Sequence, residues 1–297
     1  MTTLNISTFK FLLLSCRPKQ WVKNILLFIP LVLAHKVQDI KLLIDAFYAF
    51  ISFTFVASSI YIVNDLSDIE VDRLHPTKKN RPIASGKVSS LQAKILVFIL
   101  LVLSVTLVIQ LPVNFQIAVL LYLVITNFYT FKLKSIALLD VITLSCLYTL
   151  RIISGTFAIE VSLSYWLISF SLFFFLSLAF VKRHIELKNL LDAGGTKIPG
   201  REYSVVDIDN IRSFGITSGY LSILVFALYI NDEALIKLYS APYWLWGISL
   251  LLLYWITRIW FIANKELKFD DPVLFAVQDK TSYVVLTLCL IFFALAI

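Results

Sequence analysis

The sequence predicts an all-α polytopic membrane protein, and three observations carry that prediction. Hydrophobic residues make up 59% of the 297 residues, charged residues only 15%, and the mean hydropathy is +0.87. Soluble domains are about 45–50% apolar and about 25% charged. A soluble core cannot bury this much apolar surface, so the bilayer must act as the solvent. A soluble globular protein, a disordered chain and a coiled coil are excluded. Eight Gly, eight Pro and few charges argue for helices over a β-barrel, whose strands would alternate apolar and polar.

A helix needs about 20 apolar residues to cross the hydrocarbon core. Nine stretches are candidates: 20–35, 42–63, 92–110, 113–130, 136–157, 162–181, 213–230, 242–262 and 281–297. The first is short and carries Lys23 and Asn24 near its start. It follows Arg17-Pro18-Lys19-Gln20 and has no small-residue cleavage site, so it reads as a retained helix and not a signal peptide. The turns at 110–114 and 158–162 are short. The segments 64–91 and 182–212 are long and dense in Asp, Asn, Lys, Arg and His, and loops of that length in a compact protein are usually functional or disordered. No low-complexity tract or separate soluble domain interrupts the pattern, so a single transmembrane domain over 1–297 is expected.

Charge sets the orientation. With nine spans, 22 of the 26 Lys and Arg fall on the side of the N-terminus, three (Lys36, Lys41, Lys237) on the other, and Arg151 within a span. Cytoplasmic segments collect basic residues, so the N-terminus is expected in the cytoplasm and the C-terminus outside, in an inner or plasma membrane. The same rule accounts for the net charge of +7 without a nucleic-acid partner. Cys16, Cys146 and Cys289 lie far apart and form no CxxC or Cys/His cluster, which leaves zinc and iron–sulfur chemistry unsupported.

Chemistry concentrates on the cytoplasmic side. Asn64-Asp65-Leu66-Ser67-Asp68-Ile69-Glu70-Val71-Asp72 follows the second span, with Asp65, Asp68 and Asp72 at i, i+3 and i+7. If the helix continues through them, the three carboxylates share one face with Asn64 close by. Clustered carboxylates repel unless a cation neutralises them. Mg²⁺ takes one or two carboxylates and keeps places for water and phosphate oxygens, so the stripe suits a Mg²⁺-bridged diphosphate; capping of a solvated helix end is the plainer alternative. A basic run follows, with Arg73, His75, Lys78, Lys79 and Arg81, then Pro82-Ile83-Ala84-Ser85-Gly86-Lys87. Carboxylates beside basic groups are what a metal-plus-phosphate site requires. Arg151, in Leu150-Arg151-Ile152-Ile153, is a costly charge within an apolar span. Such a group faces a polar cavity or pairs with a buried acid such as Asp140. Asp270 and Asp271 read as a helix cap before Pro272. Phe173-Phe174-Phe175 and Trp244, Trp246, Trp255 and Trp260 read as packing or interfacial residues.

Asn64-Asp65-x-x-Asp68-x-x-x-Asp72 followed by Arg81-Pro82-Ile83-Ala84-Ser85-Gly86 resembles the first aspartate-rich motif of the UbiA superfamily of intramembrane prenyltransferases. The resemblance implies about nine transmembrane helices bundled around a central cavity that faces the cytoplasm, and Mg²⁺ (or Mn²⁺) held by Asn64, Asp65, Asp68 and Asp72. Further segments are similar to the decaprenyl-phosphate phosphoribosyltransferase branch. They are Arg17-Pro18-Lys19-Gln20-Trp21-Val22-Lys23-Asn24, Tyr129-Thr130-Phe131-Lys132-Leu133-Lys134, Asp140-Val141, Leu150-Arg151, Lys182-Arg183-His184-Ile185-Glu186-Leu187 and Arg201-Glu202-Tyr203-Ser204.

Aromatic prenyltransferases of the superfamily place a second aspartate-rich cluster after the sixth helix. Here that region has only the scattered acids Glu186, Asp192, Glu202, Asp207 and Asp209, and basic residues lead it. The resemblance therefore implies a cell-envelope enzyme with phosphoribosyl pyrophosphate as donor, a polyprenyl phosphate as acceptor and diphosphate as leaving group. Asp65, Asp68, Asp72, Lys134 and Arg151 are then the catalytic candidates. Arg17, Lys23, Asn24, Asn64, Arg73, Arg81, Tyr129, Asp140, Lys182, Arg183, Glu186 and Tyr203 are candidates for substrate binding. The resemblance is compatible with a monomer or a homo-oligomer. Two alternatives stay open: a sibling prenyltransferase that uses the motif on an isoprenoid diphosphate, and a transporter of an anionic metabolite.

Overall fold

A computed structural model describes residues 6–74, 77–232, 237–265 and 271–297. His75, Pro76 and Asp270 lie outside the described residues. Among the described residues the chain is helical and has no strand; an isolated antiparallel bridge joins Lys197 to Ser204. Seven helices are long and apolar enough to cross a bilayer, and Lys280–Ala296 is a shorter apolar helix of 17 residues. Large apolar side chains such as Phe98, Ile117, Leu120 and Phe128 are exposed on these helices, an exterior that fits lipid and not water. The protein is an integral membrane protein.

The chain divides into two compact units. The first comprises Met1–Thr130 and Leu150–Leu163. It contains α1 (Ile6–Ser15), a 3₁₀ helix (Pro18–Phe28), α2 (Ile29–Leu33), α3 (Ile40–Ser67), α4 (Ile69–Leu74), α5 (Ser90–Val108), most of α6 (Val113–Phe131) and the second half of α7 (Leu139–Ala158). Asp39 caps α3 by accepting from the Lys41 and Leu42 amides, and Ser89 with Gln92 forms a capping box for α5. The Ser104 hydroxyl donates to the Ser52 carbonyl and ties α5 to α3. Phe53 of α3 packs on Phe115 and Tyr122 of α6.

The stretch expected as a first span is not one continuous α-helix. Residues 18–28 wind as a 3₁₀ helix, and α2 adds only five residues. Side chains three apart eclipse in a 3₁₀ helix, which brings Pro18, Trp21, Asn24 and Leu27 onto one stripe. Tertiary partners meet that stripe. Trp21 Nε1 donates to the Ser58 hydroxyl, Asn24 Nδ2 donates to the Thr54 hydroxyl, and Leu27 is fully buried. A Cβ at Gly155 would stand 2.2 Å from the Leu27 carbonyl oxygen, so only glycine lets α7 approach this backbone.

The second unit comprises Phe131–Thr149 and Ser164–Ile297. It holds the first half of α7, then α8 (Tyr165–Asp192), α9 (Ile208–Ile230), α10 (Leu245–Asn264), α11 (Pro272–Ala276) and α12 (Lys280–Ala296). A Cβ at Gly215 would stand 2.2 Å from the Trp260 ring, and Trp260 donates to the Ser177 hydroxyl, which in turn donates to the Gly215 carbonyl. Phe174 stacks on Trp255, which donates to the Ser282 hydroxyl, so these aromatic residues pack as expected. Asp271 caps α11 by accepting from the Val273 and Leu274 amides, which bears out its reading as a cap.

The polar segments are shorter than the sequence suggests. α8 runs on to Asp192 and α9 begins at Ile208, which places Lys182, Arg183 and Glu186 on a helix and not in a loop. The reason is local: Val181, Ile185 and Leu187 remain buried and keep the helix packed beyond the apolar run.

Candidate functional site

In the first unit, α3 ends at Ser67, Asp68 takes the C-cap position, and α4 starts at Ile69. The helix is thus interrupted at Asp68 and does not run unbroken through the acidic stripe. The Asp68 amide still bonds to the Asn64 carbonyl at 3.0 Å, and the Asp72 amide to the Asp68 carbonyl at 2.8 Å. The helical spacing therefore survives the break. Asp65 and Asp72 converge on one guanidinium: Arg81 Nη1 lies 3.1 Å from Asp65 Oδ1 and 2.6 Å from Asp72 Oδ2. Arg17, whose ring-facing guanidinium sits 4.9 Å from the Tyr61 centroid, also donates to Asp65. Both carboxylates are buried, whereas the side chains of Arg17 and Arg81 are each 28% exposed. Asp68 is half-buried and accepts from the Ser67 hydroxyl.

Arg81 is presented by the turn 81–88, where the Ser85 amide bonds to the Arg81 carbonyl and Ile83 and Val88 enter the core. Arg73 tethers the same turn through its 3.2 Å bond to the Ala84 carbonyl and pairs with Glu70. It serves the turn, not the buried carboxylates.

Deeper in this unit, Arg151 is buried with its Nε 3.0 Å from Asn24 Oδ1 and its Nη2 2.7 Å from the Tyr122 hydroxyl. Asp140, the acid that the sequence offered as its partner, is held by Arg183 and Arg201 in the second unit. Thr54 and Tyr122 complete the cluster and were not among the expected site residues. Their signal was a hydroxyl within an apolar span, a pattern too common to single them out. Lys23 on the 3₁₀ helix and Tyr129 in the last turn of α6 are half-buried.

In the second unit, fully buried Asp140 opens α7 and accepts from Arg183, from Arg201 at 3.1 Å and from the Tyr203 hydroxyl at 2.6 Å. Arg183 also donates to Glu186 and lies over the Tyr203 ring. Burial first, and the bond to Asp140 second, push the Tyr203 hydroxyl pKa well above the ordinary tyrosine value, so it is a proton donor throughout the physiological range. The backbone carbonyl of half-buried Lys134 accepts from Arg201 at 2.8 Å, and Lys182 lies half-buried beside Arg183. Arg201 is the residue that expectation omitted from the site although its motif was in view.

Among the described residues no three His, Cys, Asp or Glu are arranged to hold a metal by themselves. The Asp65–Asp72 pair nevertheless suits a hard cation. It offers buried carboxylate oxygens so close that one cationic nitrogen bridges them, and Mg²⁺ commonly completes such a pair with water and substrate phosphate.

The UbiA prenyltransferase family model matches residues 25–279 of the chain. An uncharacterized protein of Sinorhizobium fredii is 36% identical over 90% of this chain and 52% of its own length. Nodulation protein NoeC of Azorhizobium caulinodans is 31% identical over 91% of this chain and 88% of that protein. Decaprenyl-phosphate phosphoribosyltransferase of Mycolicibacterium smegmatis is 37% identical over 63% of this chain and 60% of that enzyme. The chain thus spans about half the length of the Sinorhizobium protein. Among solved structures, a UbiA homolog from Archaeoglobus fulgidus bound to GPP and Mg²⁺ superposes with a TM-score of 0.68 at 16% identity, over 96% of this chain and 99% of that one.

Proposed function

The chain belongs to the UbiA prenyltransferase family and is a membrane transferase, and from that premise we propose that it moves a 5-phosphoribosyl group from phosphoribosyl pyrophosphate to a polyprenyl phosphate, releasing diphosphate. The observation that carries this reading is the state of the second unit's acids. Asp140 and Glu186 are held by arginines, Glu202 by the Ala137 amide, Asp207 by Ser204 and Asp209 by Arg212. The carboxylate pair of that segment, Asp140 and Glu186, is bridged by Arg183 and Arg201, and the fully buried Asp140–Arg183 contact gives it none of the solvent access that Arg17 and Arg81 give Asp65 and Asp72, whereas the segment's basic side chains suit phosphates. The phosphoribosyltransferase of Mycolicibacterium smegmatis supports the same substrate class.

Departure of diphosphate from ribose C1 builds oxocarbenium character on the sugar and negative charge on the leaving group. Asp65 and Asp72 are the pair that would hold Mg²⁺ or Mn²⁺, with Asn64 and Asp68 beside them on the stripe, and the chemistry the cation would supply there is neutralisation of the diphosphate. Arg17 and Arg81 are exposed enough to exchange carboxylate for phosphate oxygens, and Arg offers the fork that phosphate accepts. Lys23, Arg151, Lys134 and Lys182 add positive charge, needed because donor and acceptor both carry phosphate and repel each other. Asn24 orients Arg151. The lipid phosphate is already an anion, so the reaction asks for positioning and charge neutralisation more than for a general base. Nine crossings, with the N-terminus and the site on the cytoplasmic side and the C-terminus outside, belong to the same reading.

The test uses purified protein in Mg²⁺ with phosphoribosyl pyrophosphate, geranylgeranyl diphosphate and a polyprenyl phosphate. A phosphoribosylated lipid is expected by mass spectrometry, and Arg151→Ala removes a charge-assisted contact of roughly 1.5–3 kcal/mol, so donor affinity drops about ten- to a hundred-fold. Binding of the lipid diphosphate alone would overturn the reading in favour of prenyl transfer.

A further inference from the structure

The turn that carries Lys134 has an unusual backbone. Leu138 adopts φ +66°, a left-handed conformation that a branched side chain avoids and that persists only where surrounding contacts impose it. Three consecutive residues impose it. Arg201 donates to the Lys134 carbonyl at 2.8 Å, and the Glu202 amide donates to the Ser135 carbonyl at 3.1 Å. The Glu202 carboxylate accepts from the Ala137 amide at 2.9 Å, and the Tyr203 hydroxyl accepts from the Leu138 amide at 2.7 Å. Four backbone groups within five residues of the turn are thereby satisfied by one tripeptide.

The tripeptide is itself braced. The Ile198 amide bonds to the Tyr203 carbonyl and the Val205 amide to the Thr196 carbonyl, around Gly200 at φ +72°. Arg201 and Tyr203 are anchored on Asp140, which Arg183 holds from α8.

We propose that Arg201, Glu202 and Tyr203 are positioning residues: they clamp the 132–138 turn in its strained form and so set where Lys134 presents its ammonium to a substrate phosphate. This rests on the reading that Lys134 contacts phosphate. Asp140 then acts through the clamp and touches no substrate. Glu202 is the informative member because it is exposed, so removing its carboxylate leaves the buried network intact.

Glu202→Ala should raise the KM for phosphoribosyl pyrophosphate about three- to tenfold, the size of one lost hydrogen bond, with a smaller change in kcat. Glu202→Gln, which keeps an acceptor oxygen, should restore most of it. Hydrogen exchange at the Ala137 and Leu138 amides should quicken in Glu202→Ala and stay native in the transmembrane helices; unchanged exchange there overturns the clamp. A double-mutant cycle with Lys134→Ala separates the two ideas. If the clamp acts through Lys134, Glu202→Ala costs nothing further in the Lys134→Ala background. Fully additive effects overturn the positioning role and leave the phosphate role of Lys134 standing. A Lys134→Ala enzyme with native kinetics overturns both.

Discussion

Two acids and two arginines make up each of the main polar clusters, Asp65 and Asp72 with Arg17 and Arg81 in the first unit, Asp140 and Glu186 with Arg183 and Arg201 in the second. Their exposure differs. The arginine side chains of the first cluster are each 28% exposed around buried carboxylates. In the second, Arg183 and Asp140 are both 0% exposed, and only Arg201 (19%) and Glu186 (33%) reach solvent. A guanidinium with access to solvent can trade one anion for another at little cost, because water covers it during the exchange. A fully buried pair cannot, since separating it strands a charge in a medium of low dielectric. Formal charge is the same in the two clusters, which differ in type only by a Glu in place of one Asp, so burial of the Asp140–Arg183 pair is what divides a candidate exchange site from a brace.

The largest effect that could break this comparison is on stability. Asp140→Ala should destabilise the protein by about 3–5 kcal/mol, because it removes the buried acceptor that Arg183, Arg201 and Tyr203 share and leaves buried Arg183 with Glu186 alone. Thermal unfolding in detergent measures it, and a native-like transition would show that the second cluster is no brace. Next, Asp65→Asn and Asp72→Asn should fold in detergent yet lose about 10²–10³-fold in turnover, the range for losing a group that stabilises developing charge. A chelator should abolish native activity, and Mg²⁺ or Mn²⁺ should restore it. Near-native turnover in both variants would reduce the acidic stripe to a helix cap.

The smallest effect concerns pH. Tyr203 has a raised pKa in the folded protein, so the folded state keeps a proton that the unfolded chain releases above about pH 10. Its contribution to stability is therefore complete below pH 10 and declines as pH rises beyond it. Tyr203→Phe should flatten that decline. An unchanged alkaline slope in unfolding experiments would place the hydroxyl outside the brace.

Much of the candidate site was legible because its signals are local. Asp65 and Asp72 are seven residues apart at helical spacing, and that spacing brings them to one guanidinium even across the break at Asp68. Arg151 stood out because a charge within an apolar span demands a partner. Its partners were not legible. Asn24 and Tyr122 are 127 and 29 residues away, and no local pattern links them. The candidate span 20–35 misled for a related reason. Its apolar content suits a helix of either pitch, and contacts with Thr54, Ser58 and Gly155 select the 3₁₀ form.

Composition by itself determined residence in the membrane and the helical class, because transfer to lipid is nearly a sum over residues. Only the tertiary structure decided which arginine meets which carboxylate, that Asp140 is enclosed while Asp65 remains beside solvent-reachable arginines, and that Leu138 is held at positive φ. Those outcomes depend on which groups lose their water together, and that is a property of packed neighbours far apart in the chain.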